Sequence, residues 1–138
     1  MIDKQSEVFT RVMNGVIAER ADLTESNFSS DLSDAPPTFP HISIVQSDSV
    51  TAVRYEDNDF VENKATLTFD INVYSNLTAG KRDQCRQILN DIDKYMLRMN
   101  FTRMGYGFAP NLNNNAIARL VAKYQVIADE NIFYRIGR

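Results

Sequence analysis

Few residues in this chain combine the identity and spacing that chemistry requires. The single histidine, His41, follows Pro40, and the single cysteine, Cys85, falls inside an apolar stripe. A zinc site of the usual nitrogen and sulfur type would need carboxylates to complete it, and no ligand spacing invites that. A Ser-His-Asp relay would have to recruit His41, yet no Gly-x-Ser-x-Gly turn presents a serine. Neither a Gly-x-Gly-x-x-Gly run nor a Gly-Lys-Ser/Thr phosphate loop is present, and Gly105-Tyr106-Gly107 is too short and opens no helix. One enzymatic pattern exists. Glu62-Asn63-Lys64 stands at an expected strand start, with Asp48, Asp57 or Asp59 upstream. In a metal nuclease such carboxylates hold Mg²⁺ beside a phosphate while the lysine orients the water. The upstream Pro-Asp pair of that signature is missing, and the acids fall in a turn. Asp91 and Asp93, two apart on a helix, point in different directions. Lys81, Arg82 and Arg86 cluster without a nucleic-acid reader motif, which reads as a solvated helix face. No catalytic residue, cofactor or metal is expected.

The elements that would position any of these residues centre on residues 64–99. Leu67, Phe69, Ile71 and Val73 alternate with Thr66, Thr68, Asp70, Asn72 and Tyr74, the period-two pattern of a half-buried strand with one wet face. Cys85, Ile88, Leu89, Ile92, Tyr95, Met96 and Met99 then recur at helical spacing, so a helix covers the strand's apolar face. Cys85 reads as a small buried hydrophobe there.

Upstream, residues 2–20 form a second amphipathic helix through Phe9, Val12, Met13, Val16 and Ile17. Gly15 costs that helix about 1 kcal/mol against Ala and would permit a close approach to another element. Residues 21–40, rich in Asp, Ser and Pro, read as an exposed, mobile acidic loop at about 22–38, anchored by Phe28 and Phe39. Ile42, Ile44 and, after a break, Val50, Ala52 and Tyr55 suggest a strand or a kinked strand pair, and residues 50–74 read as a hairpin that includes the long strand. The run Glu56-Asp57-Asn58-Asp59 makes the turn. Downstream, residues 101–108 read as a strand whose glycines imply a bulge or a close backbone contact. Residues 118–128 alternate as a second long strand, and Ile132 to Tyr134 either add a short strand or pack the tail back on the sheet.

A chain of 138 residues is the size of one domain. The expected architecture is a single α+β domain over 1–138. A mainly antiparallel mixed sheet of about four to five strands packs against an N-terminal helix and a central helix. No membrane span and no secretory signal are expected, because the apolar runs are a few residues long and the N-terminus lacks a basic and apolar leader. Charge is unevenly spread. Residues 1–77 carry thirteen acids and five bases, net −8, and residues 78–138 carry five acids and ten bases, net +5. That division suits either head-to-tail self-association or a chance imbalance of solvated faces.

Several segments together resemble the tail terminator, or tail-completion, proteins of long-tailed bacteriophages. Phe39-Pro40-His41-Ile42-Ser43-Ile44 is similar to the family's Phe-Pro opening of its first strand. Asn72-Val73-Tyr74-Ser75-Asn76 followed by Gly80-Lys81 resembles its long strand and the start of its helix. Met99-Asn100-Phe101-Thr102-Arg103 is similar to the helix exit, with Asn100 where Gly is usual. Arg119 to Tyr124 and Ile132-Phe133-Tyr134-Arg135 resemble the closing strands. The resemblance implies a structural virion protein and no enzyme. Such a protein forms a homohexameric ring at the head-proximal end of the tail, assembled in the host bacterial cytoplasm. The ring would cap the tail tube, end its polymerisation, and join tail to head connector, with DNA passing through the lumen without sequence-specific binding. Its partners would be further copies of itself, the tube protein and the connector. A neck or head-completion protein, or a tube subunit of related fold, is the nearest alternative, and a Mg²⁺-dependent nuclease using Glu62 and Lys64 is another. For subunit contacts the reading offers Arg119, Lys123, Tyr134 and Arg135 against acids such as Asp31 or Asp57, each of which could equally be a solvated charge.

Overall fold

The computed structural model describes residues 2–31, 38–51, 64–109, 116–129 and 133–134. Helix α1 (Gln5–Glu19) leads through a short 3₁₀ turn (Glu25–Asn27) to strand β1 (Phe28–Ser29). Strands β2 (His41–Thr51) and β3 (Ala65–Ser75) precede helix α2 (Lys81–Arg98). Strands β4 (Thr102–Ala109), β5 (Ala118–Ala128) and β6 (Phe133–Tyr134) follow. The sheet runs β1-β2-β3-β5-β4, with β6 pairing against β5. Only the β1–β2 pairing is parallel, so this is the mixed, mainly antiparallel α+β sheet that the sequence leads one to expect.

Both helices lie on one face of the sheet. Leu67, Phe69, Ile71 and Val73 stand opposite Val126, Tyr124, Ala122 and Leu120 across the β3–β5 ladder, and all eight are buried. Helix α2 covers β3 and β5 with Ile88, Ile92 and Met96, and α1 covers β2 with Val8, Val12 and Val16. Phe69, Phe101 and Phe133 close one end of this core, with ring centroids 5.4 and 5.7 Å apart. Where α1 meets α2, Gly15 removes the obstacle. A Cβ there would sit 2.5 Å from the Tyr95 ring, and the Tyr95 hydroxyl donates to the Gly15 carbonyl at 3.0 Å.

Local chemistry sets the ends of α2. Gly80 starts it at φ 79, a left-handed backbone that glycine adopts without penalty. Asn100 ends it at φ 70; the Asn100 amide donates to Leu97 O and the Phe101 amide to Met96 O, the paired bonds of a Schellman stop. The side chain explains why Asn and not Gly stands here, since its Nδ2 also donates to Phe133 O at 2.9 Å and so holds β6.

The face of β3 away from the helices departs from expectation. Alternation marks Thr68, Asn72 and Tyr74 as wet, yet they are buried, Asn72 and Tyr74 to within 1%. As the central strand β3 has a neighbour on each side, and those neighbours cover it laterally. Arg119 Nε donates to Asn72 Oδ1 at 2.9 Å and Gln125 Nε2 to Thr68 Oγ1 at 3.2 Å. Of the two readings of residues 42–55, one strand forms over the described part, with its register shifted between Gln46 and Asp48, and of the two readings of the β4 glycines a bulge is present, between Arg103 and Gly105. Of the expected mobile loop, residues 32–37 fall outside the described residues. Residues flanking them are tied together: Leu23 is buried, Asn27 Nδ2 donates to Pro40 O at 2.7 Å, and Thr38 Oγ1 donates to Ser26 O at 2.8 Å. Ala52, Tyr55, the expected turn at 56–59 and the residues 60–63 that follow it also fall outside the described residues.

Candidate assembly surface

Strand β4 forms one margin of the sheet. Apart from its partner β5 it has no ladder neighbour among the described residues, and most of its length is exposed. Tyr106 and Met104 are 60% and 54% exposed, which is unusual for large apolar side chains on a strand. The reason is positional. Tyr106 and Phe108 share the parity of the core, but α2 lies mainly over β3 and β5 and leaves β4 overhanging. Arginines fill the gap. Arg82 and Arg86 of α2 lie over the Phe108 ring at 4.5 and 5.0 Å, and Arg103 lies 5.5 Å from the centre of the Tyr106 ring. Such cation–aromatic contacts hold guanidinium groups at the surface without removing their charge.

Between α2 and β4 a cavity of about 180 Å³ opens beside Arg86, Asn90, Asp93, Arg103 and Tyr106. Asp93 in its lining accepts from Tyr124 Oη at 2.6 Å and from Arg103 Nη1 at 2.9 Å. Burial and the bond to Asp93 push the Tyr124 hydroxyl far above its usual range, so it is a fixed donor and no proton carrier.

The opposite margin, β2, is covered in part. β1 pairs with residues 42–43. Beyond it the Gln5 side chain stands in for a strand: its Nε2 donates to Ile44 O at 2.7 Å and its Oε1 accepts from the Gln46 amide. From Ser47 to Thr51 the outer side of β2 has no ladder partner among the described residues, and Val50 there is 53% exposed.

The residues singled out from the sequence do not converge on one place. Arg119 and Lys123 share the sheet face opposite the helices, where Arg119 bonds Asn72 and Lys123 Nζ lies 3.7 Å from Asp70. Asp31 is exposed beyond β1, and its backbone carbonyl accepts from Ser29 Oγ and Ser43 Oγ at 3.0 and 2.8 Å. Tyr134 belongs to β6, paired with Ile127, while Asp57 and Arg135 lie outside the described residues. For the nuclease pattern, Lys64 immediately precedes β3 and the Asp48 carboxylate accepts from the Ser49 amide, whereas Asp59 and Glu62 lie outside the described residues. Among the described residues no cluster of three acids, histidines or cysteines could hold a metal ion.

His41 does have a serine partner, with Ser29 Oγ 2.9 Å from Nε2. Its other ring nitrogen meets the Thr38 hydroxyl at 3.4 Å, and among the described residues no carboxylate bonds the ring. Burial lowers its pKa. The arrangement joins β1, β2 and the loop between them. Cys85 is buried beside Val73 O and Ala118 O, and burial pushes its thiol up to about 11, which makes it a packing residue.

The sequence does not single out Tyr106 and Met104 as surface residues. Their parity marks a strand, and only the lateral position of α2 decides that the strand overhangs. No helix among the described residues is long and apolar enough to cross a membrane. In comparisons with known proteins, no family model and no curated protein matches the chain.

Proposed function

We propose that this chain is a structural subunit of a phage virion, forming a ring that caps the tail tube, ends its polymerisation and joins the tail to the head connector. The reading rests on the sequence resemblance, which runs in pieces from Phe39 to Arg135. The single structural observation that supports it is the pair of sheet margins, on opposite sides of the domain, that lack an outer ladder neighbour over all or part of their length among the described residues. Two different surfaces on one subunit favour head-to-tail contact, and such contacts close into a ring when the rotation permits.

The test is the mass of the purified protein in solution, alone and mixed with tail tubes. A ring-sized species, insensitive to chelators, is expected, together with tails of uncontrolled length when the protein is missing. A chain that stays a single subunit under both conditions sinks the proposal, as does Mg²⁺-dependent cleavage of DNA. Tails of normal length that fail to join heads would move the assignment to a neck protein.

A further inference from the structure

We propose that the ring is held by sheet continuation. The outer margin of β4 on one copy pairs with the Ser47–Thr51 end of β2 on the next copy, neither of which has an outer ladder neighbour among the described residues, and the Ser49 amide exchanges its bond to Asp48 Oδ1 for the new ladder. The inference rests on the ring reading above and names the surface that would build it.

Three observations converge on a second copy of this chain as the occupant. The first is direction. Three successive antiparallel pairings, β2 with β3, β3 with β5 and β5 with β4, leave β2 and β4 running in opposite senses. A copy rotated about an axis along the strands therefore presents its β2 antiparallel to β4, the more stable of the two ladders. The second is the margin itself. From Gly105 to Ala109 β4 contains no proline and no lysine, the residues that usually block edge pairing. It carries an exposed tyrosine in their place, and Val50 is the exposed apolar residue at the other margin.

The third observation is charge. The elements on the β2 side, residues 2–31 and 38–51, hold seven acids and three bases. Residues 78–109, which build α2 and β4, hold six bases and three acids. Like margins repel and unlike margins attract, so the contact is steered toward β4-to-β2 and away from β4-to-β4.

Disulfide trapping decides the matter. Gly107 lies on β4, and a Cβ added there would meet nothing within 4 Å, so Gly107→Cys is accommodated. Asp48 and Val50 are exposed or edge positions of β2 on the same sheet face as Gly107. The native Cys85 is buried and does not interfere. On mild oxidation, Gly107→Cys combined with Asp48→Cys or Val50→Cys should give a ladder of covalent oligomers on denaturing gels, ending at the ring. Each single variant should stay a monomer on the same gel. Tyr106→Glu, with unchanged circular dichroism, should raise the concentration at half-assembly by about tenfold or more. Covalent dimers from Gly107→Cys alone would replace this contact with a symmetric β4-to-β4 one and overturn the inference. A ring-sized wild type whose double-cysteine variants do not cross-link overturns the edge assignment and leaves the ring reading standing. A wild type that never assembles, alone or with tubes, overturns both.

Discussion

The polar residues that chemistry could have recruited are used to fix loops and helix ends, and His41 is the one with a solution signature. Its ring faces Ser29 Oγ, Thr38 Oγ1 and the Tyr74 ring, whose centroid is 6.2 Å away. Among the described residues no carboxylate bonds this ring, and burial lowers its pKa. The unfolded chain takes up this proton near pH about 6.5 and the folded chain only at lower pH. Stability from His41 is therefore complete above that value and is lost as the pH falls through it. The slope for one proton is at most about 1.4 kcal/mol per pH unit. Thermal melts between about pH 7.5 and 5.5 should show a falling Tm for the wild type. His41→Asn should melt lower but with a flatter profile across that window, because this is the chain's only histidine. Equal slopes for the two proteins would show that another group titrates there.

At the scale of elements, the contact between α1 and α2 sets two effects of opposite sign against each other. Gly15→Ala should gain about 1 kcal/mol of helix propensity. Against this, the new Cβ would meet the Tyr95 ring at 2.5 Å and displace a hydroxyl that bonds Gly15 O. Overpacking costs about 1–3 kcal/mol and the hydrogen bond about 1 more, so the packing effect wins. Gly15→Ala should lower Tm by several degrees, and in a Tyr95→Ala background the same change should raise it. The sequence already carried half of this argument, since a glycine inside an amphipathic helix implies a close neighbour. It did not name Tyr95, which lies 80 residues away. The same holds more widely. Period two and period 3.6 located β2 to β5 and both helices, because burial of one face imposes those periods directly on the residues. What escaped depends on lateral position. Thr68, Asn72 and Tyr74 read as wet because alternation reports which face a residue takes and is silent on how far neighbouring strands cover it. Tyr106 read as one more strand residue because its exposure is decided by where α2 ends across the sheet.

For the whole molecule, the uneven charge becomes an arrangement in space. Among the described residues, the acid-rich segments 2–31 and 38–51 build the β2 side and the base-rich segment 78–109 builds α2 and β4. If the two sides meet in assembly, charge acts at long range to bring copies together, whereas ladder hydrogen bonds and the Tyr106 contact act only once they touch. These ranges can be separated by salt. Raising ionic strength from about 0.05 to 0.5 M shortens the screening length from about 14 to 4 Å. The rate of assembly after a concentration jump, followed by light scattering, should fall about tenfold over that range, while dissociation on dilution should change by less than about twofold. Replacing Arg82 and Arg86 together by Gln should flatten the salt dependence of the forward rate, because those guanidinium groups are held at the surface over Phe108. A dissociation rate that climbs with salt would place the charges inside the contact, as ion pairs that hold the ring together. Assembly indifferent to salt in both directions would mean that the two sides of the domain do not face each other at all.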